Sequence, residues 1–252
     1  MKIIPKFAAI VRAPSQRQPI YTLLTAMLVL LFILFINPAS AAPPEKNDAE
    51  ALVEKAQLSL NNFLTEQHWA AVRNLSGVAK AVVIFPQGGQ AGLLLGYQWG
   101  RGIMLVRHQH DWSDPIFIKL NSFQFGLSVG GQGFSAIGAL LSRPALDKAL
   151  RGDFAAGGSA DLTIGPGLSG RAIGGVNGIE TLMVSVNRGL YLGGNIEAIR
   201  LKLDERYNQL AYGEDFDLDQ LLANSRGGDY PPANSIRASL KYHAYQSVYG
   251  TE

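Results

Sequence analysis

Apolar positions along this chain change their spacing twice. From Asp48, a good helix N-cap, Leu52, Val53, Ala56, Leu60, Phe63 and Leu64 recur at i, i+3 and i+4 intervals, which predicts a helix packed on a core. Its polar face mixes Glu50, Glu54, Lys55, Gln57, Asn61 and Glu66, unlike the basic face of a membrane-surface helix. Between 77 and 194 the helical spacing gives way to short apolar runs: 81-AVVIF-85, 91-AGLLLGYQW-99, 102-GIMLVR-107, 115-PIFIKL-120, 122-SFQFGLSVG-130, 160-ADLTI-164, 180-ETLMVSV-186 and 189-GLYLGG-194. Gly, Pro, Asp or Asn separates them, the pattern of strands joined by tight turns. The connections Pro86–Gln90 and Gly100–Arg101 are too short for helical crossovers, so neighbouring strands are expected to be antiparallel. One helix is expected inside the strand region, 143-RPALDKALRG-152, with Pro144 near its start and Gly152 just past its end. After 195 helical signals return in 202-KLDERYNQLAYG-213, 217-DLDQLLAN-224 and 235-SIRASLKYHAYQ-246. The order predicts an α+β domain: a curved, largely antiparallel sheet, closed or nearly closed, flanked by an N-terminal helix, one inserted helix and C-terminal helices.

Charge changes the picture at the N-terminus. Lys2, Lys6, Arg12 and Arg17 precede the apolar run 21-YTLLTAMLVLLFILFI-36, and no acidic residue occurs before Glu45. The small residues Ala39-Ser40-Ala41 follow, so residues 1–41 read as a secretory signal peptide cleaved after Ala41. An uncleaved anchor through 21–36 is the alternative, although the run is shorter than the ~20 residues that span a bilayer as a helix. Residues 42–252 are then one domain. Without the four cations the formal charge of +2 becomes −2, so the basic balance belongs to the leader and no nucleic-acid partner is expected. The chain has no cysteine, which excludes disulfides, thiol nucleophiles and thiolate ligands.

Three motifs invite a catalytic or cofactor reading. Gly165, Gly167 and Gly170 spell G-x-G-x-x-G, but RAIGGVNG follows, too rich in glycine for the helix of a dinucleotide site, and position 190 is Leu where an acid is needed. A tight connection between two strands is the expectation there, and no cofactor is implied. In 126-GLSVG-130, Ser128 stands where a hydrolase nucleophile would, with Asp204 or Asp229 and His243 available to complete a triad. An elbow needs a strand-to-helix turn in a parallel sheet, whereas hairpin-length turns join the strands upstream. In 108-HQHD-111, His108, His110 and Asp111 would start a zinc site, with only His68 or His243 left to add a ligand. A polar hairpin tip is the expectation, and no metal is implied.

Taken in order, 78-VAKAVVIFP-86, 100-GRGIMLVR-107, 112-WSDPIFIKL-120 and 123-FQFGLSVGGQ-132 resemble the SYLF (Ysc84-type) lipid-binding family. The likeness continues through 146-LDK-148, 154-FAAGGSADLTIGPGLSG-170, 187-NRGLYLGGNIEA-198 and 208-NQLAYG-213, and covers roughly residues 49–213. It implies a non-enzymatic module whose partner is phospholipid or a membrane surface. Eukaryotic members accompany SH3 or FYVE domains and actin. Here an export signal takes that place, as expected of an exported, periplasmic or envelope relative without actin as partner. Phosphoinositide binders of the family use a basic N-terminal helix, whereas 48–66 is mixed in charge. With a mature charge near −2, lipid contact is expected to rest on apolar groups helped by local cations. Arg101, Arg107, Lys119 and Arg188 lie at strand rims, with Trp99 and Trp112 as interfacial anchors. Core packing competes with that role for both tryptophans, more strongly for Trp99.

Overall fold

A computed structural model describes residues 45–65, 77–109, 111–152, 154–155, 159–165, 168–175, 178–193, 196–224 and 229–249. Residues 1–41, expected as a leader, with the apolar run 21–36, lie outside the described residues, as do His68 and His110.

Helix α1 spans Lys46–Thr65 and buries Ala49, Val53, Ala56, Leu60, Phe63 and Leu64, the stripe expected from the sequence. Asp48 is not its N-cap. It sits in the first turn, where its carboxylate accepts from the Glu45 backbone N–H at 2.8 Å, as the reaching-back acid of a capping box does.

The strand region departs most from expectation. Residues Ala81–His108 form one strand, β1, and Ile116–Leu140 form another, β3, with the short β2, Asp111–Trp112, between them. The segments 86–90 and 100–101, expected as turns, lie inside β1. The strands β1 and β3 make a long antiparallel hairpin from Ala81↔Leu140 to Met104↔Ile116, with register shifts at Phe85/Gly88 and Leu93/Leu95. Such irregularities bend a strand. Residues 84 and 102 of a straight strand would lie about 60 Å apart. In β1 they touch: a Cβ on Gly102 would meet Ile84 O at less than any real contact distance, and Phe85 Cδ1 at 2.6 Å. Beyond them, Arg107 N–H donates to Lys80 O at 2.8 Å. The hairpin is therefore folded in half, and glycine at 102 is what lets its two halves of backbone meet.

At the fold β3 changes partner. Its first half, 118–125, pairs with β8, Ile196–Leu203, and its second half, 128–140, pairs with β7, Gly178–Gly193. Strand β6, Leu168–Gly175, pairs with β7, and β5, Ser159–Gly165, pairs with β6. A two-residue β4, Phe154–Ala155, pairs with β8. Every pairing is antiparallel, and the sheet is a curled half-barrel.

Where 81–85, 103–106 and 116–118 come together, both faces of the folded hairpin are buried. Val82, Ile84, Ile103, Leu105, Phe117 and Ile137 pack against α1 and the C-terminal helices. Their neighbours Ala81, Val83, Phe85, Met104, Ile116 and Ile118 point the other way, among Phe134, Leu201 and the inserted helix α2, Arg143–Leu150. Two-sided burial is why these strands read as continuous apolar runs instead of alternating ones. Helix α2 ends before Gly152, at φ 73°, as expected from the sequence, and its N-cap is Ser142, whose side chain accepts from Ala145 N–H.

At the C-terminal end, β8 replaces the expected helical start at 202, and Asp204 caps a helix α3, Glu205–Tyr212, which stops at Gly213 with φ 99°. Helix α4, Leu218–Ala223, begins after the capping Asp217. Tyr230 precedes a 3-10 turn, Pro231–Ala233, which leads into α5, Asn234–Tyr249.

Candidate functional site

Alternate residues of a strand share a face, so Tyr97, Trp99 and Arg101 stand together on the second half of β1. Their cross-strand partners on β3 are Phe123, Asn121 and Lys119. Tyr97 and Trp99 are 38% and 45% exposed, and their rings stack with centroids 5.8 Å apart. The Tyr97 hydroxyl donates to Asn121 Oδ1 at 2.8 Å. The indole lies over Gly89, where a Cβ would be 2.5 Å from Trp99 Cζ2.

Arg101 and Lys119 face each other across the ladder, an arrangement that is destabilising for like charges alone. Asp204 resolves it. Its fully buried carboxylate accepts from Arg101 Nε at 2.6 Å and pairs with Lys119 Nζ at 3.1 Å. The same side chain caps α3 through Tyr207 N–H at 3.4 Å. The Arg101 guanidinium also sits 4.2 Å from the centre of the Tyr207 ring. Burial is the main influence raising the Tyr207 hydroxyl pKa, opposed by the Arg101 charge. Asn208 fixes the start of α3 to β3: its Nδ2 donates to Phe117 O at 3.0 Å, and its Oδ1 accepts from Phe117 N–H at 2.9 Å. Arg101 and Lys119 nevertheless keep 43% and 42% of their side chains exposed. They open onto a groove of about 600 Å³ between this sheet face and α1, which contributes Asp48, Leu52 and Lys55.

Trp99, Arg101 and Lys119, three of the residues singled out from the sequence, thus line one groove. Trp99 is exposed, against the stronger expectation that it packs in the core. The other three are not brought to it. Trp112 is 1% exposed and belongs to the core under α1 and α5. Its carbonyl accepts from Arg237 Nε at 3.0 Å, and its ring presents no free face for interfacial anchoring. Arg107 lies near that ring, 5.8 Å from its centre, and donates to Gly77 O and to Gln109 O. These contacts close the chain where the ends of β1 meet. Arg188 pairs with Gly133 through its backbone, and its side chain lies outside the described residues.

Asp48, Lys55 and Tyr207 also line the groove; in the sequence the first two read as helix residues and not as parts of a site. Asp204 was considered only as a triad acid. Its position before a helical segment was the available signal, because a capping acid next to a strand is well placed to meet strand cations.

The catalytic motifs resolve differently. Ser128 pairs with Gly193 in the interior of β3, and its side chain lies outside the described residues. Leu93↔Val129 and Leu95↔Phe125 leave 126–128 opposite Leu94 alone, so GLSVG is the bulged corner at which β3 changes partner. No strand-to-helix elbow exists there. Asp204 is engaged with the two cations, and Asp229 with Asn224. Gly165 ends β5 and Leu168 begins the antiparallel β6, so GPGLSG joins a hairpin, with 166–167 outside the described residues. His108 ends β1 opposite Asp111, and Asp111 pairs with Lys241 at 3.0 Å. Among the described residues no group of three metal-ligating side chains forms.

Residues 121–241 match the model of a family described as Ysc84: Las17-binding protein actin regulator. No curated protein and no solved structure matches the chain significantly.

Proposed function

Residues 121–241 belong to the Ysc84 (SYLF) family, and from that premise we propose that this protein is a non-enzymatic lipid- or membrane-surface-binding module of the cell envelope, meeting lipid at the Tyr97–Trp99–Arg101 face. The family is one of binding domains more than of enzymes, and its members take lipids or proteins as partners. The observation that carries the reading is the stacked, exposed Tyr97–Trp99 pair beside two half-exposed cations. Tyr and Trp favour a boundary with one apolar and one wet side. Each nearby cation adds about 1 kcal/mol against an anionic surface. The module reaches the envelope through cleavage of 1–41, and isolation of envelope protein with an intact Met1 would refute that step.

The test is co-sedimentation of the mature chain, residues 42–252, with phospholipid vesicles at low and high salt. Binding is expected to fall more for Trp99→Ala than for Arg101→Ala, and to weaken only modestly with salt. Binding that vanished at high salt while Trp99→Ala was silent would make the site electrostatic and overturn the assignment.

A further inference from the structure

The charges around the groove nearly cancel, and that balance bears on which headgroup it accepts. Lys55, Arg101 and Lys119 supply three positive charges. Asp48 faces the groove with them, and Asp204 lies behind Arg101 and Lys119 in contact with both. Three cations against two carboxylates leave one uncompensated positive charge. Donors remain for a ligand. Arg101 engages Nε with Asp204 and Nη1 with Tyr207, which leaves Nη2. Lys119 has one of its three N–H groups directed at Asp204. The neutral amides of Gln87 and Asn121 also line the groove, and they suit hydroxyl groups better than further charge.

Resting on the reading that this groove meets lipid, we infer that it selects a singly charged phosphodiester over a doubly charged phosphate monoester. One negative charge matches the uncompensated positive one. A second brings desolvation cost with no partner to offset it. The excess negative charge would also face Asp48, the acid that lines the groove. The same chemistry is offered by a diester lipid headgroup and by a free phosphodiester, and the experiment separates them.

The mature chain, residues 42–252, is titrated with phosphatidylcholine vesicles containing either phosphatidylglycerol or phosphatidic acid, matched in total surface charge at pH 8, where a monoester carries nearly two charges. In parallel, dimethyl phosphate and methyl phosphate are titrated while the Trp99 indole resonance is followed. The diester is expected to bind more tightly than the monoester in both arms. Asp48→Asn keeps an acceptor for Glu45 N–H but raises the local charge by one. It should shift preference toward the monoester by about threefold to tenfold, the size of one screened charge contact. Wild-type preference for the monoester, or a ratio unmoved by Asp48→Asn, would overturn the inference. Dimethyl phosphate binding without vesicle binding would identify a free diester as ligand and refute the lipid reading alone. Vesicle binding without a diester preference would refute the selectivity and leave the lipid reading standing. Absence of binding in both arms would refute both.

Discussion

Replacing Gly102 with alanine tests the folded-in-half hairpin on which the groove is built. The added Cβ would overlap Ile84 O, lie 2.6 Å from Phe85 Cδ1 and 3.0 Å from Ile84 C. Two of these atoms are backbone, so no rotamer change relieves the overlap. Overpacking of well-packed sites costs typically 1–3 kcal/mol, and a backbone clash belongs at or above the top of that range, about 3 kcal/mol. For a domain of this size each kcal/mol moves the melting temperature by roughly 2–4 °C, so the expected fall is roughly 6–12 °C. Gly133→Ala is the control. Its Cβ would rest 3.7 Å from Gly88 O, an ordinary contact, and its effect should stay within about 0.5 kcal/mol. Thermal melts followed by circular dichroism decide the matter. If Gly102→Ala melted within measurement error of Gly133→Ala, the two halves of β1 would not meet at this point, and the derivation of the curled sheet would fail.

Trp112→Ala should cost about 3–5 kcal/mol, as removal of a buried aromatic does, while the fraction that remains folded binds vesicles as the wild type does. A specific binding defect in folded protein would place Trp112 at the lipid after all. Tyr212→Phe removes the hydroxyl that donates to Pro115 O at 2.6 Å, and the urea midpoint should fall by an amount equivalent to about 1 kcal/mol; an unchanged midpoint would show that the bond contributes nothing net. His108 carries a pKa lowered first by burial and then by the Arg143 charge, and its Nε2 has no partner among the described residues. The unfolded chain therefore binds this proton at higher pH than the folded one, and stability should fall as pH drops below about 6.5 toward the lower folded value. His108→Gln should flatten urea midpoints between pH 7 and 5, and parallel curves for variant and wild type would assign the loss to other groups.

How far the sequence discloses this fold depends on the range of each signal. The buried stripe of helix α1, the α2 stop at Gly152 and the cap at Asp217 rest on local chemistry, and each is legible from a few neighbouring residues. The long strands are not, because Pro86, Gly88 and Gly100 look like breaks when read locally. The two glycines let one part of β1 pack on another part distant in sequence: a Cβ on Gly100 would lie 3.6 Å from Gly88 Cα. Strand β8 was concealed for a related reason: IEAIRLKL has no turn signal before the cap at Asp204, so its end merged into the helical pattern that follows. Within the groove, Trp99, Arg101 and Lys119 were accessible as polar or aromatic residues near strand rims. What pairs the two cations, the buried Asp204 just past the end of β8, is a contact over about a hundred residues that no local pattern encodes. The burial of Trp112 likewise depends on α5, which arrives over a hundred residues later.

The most direct measurement of the central claim is quenching of tryptophan fluorescence by vesicles of brominated phospholipid, compared between the wild type and Trp99→Phe. Of the three tryptophans, Trp112 is buried in the core and Trp99 stands exposed at the groove. Bound wild-type protein is expected to be quenched, with most of the quenched component absent in a folded Trp99→Phe variant. Equal quenching in both proteins, or none in vesicle-bound wild type, would show that this face does not meet lipid.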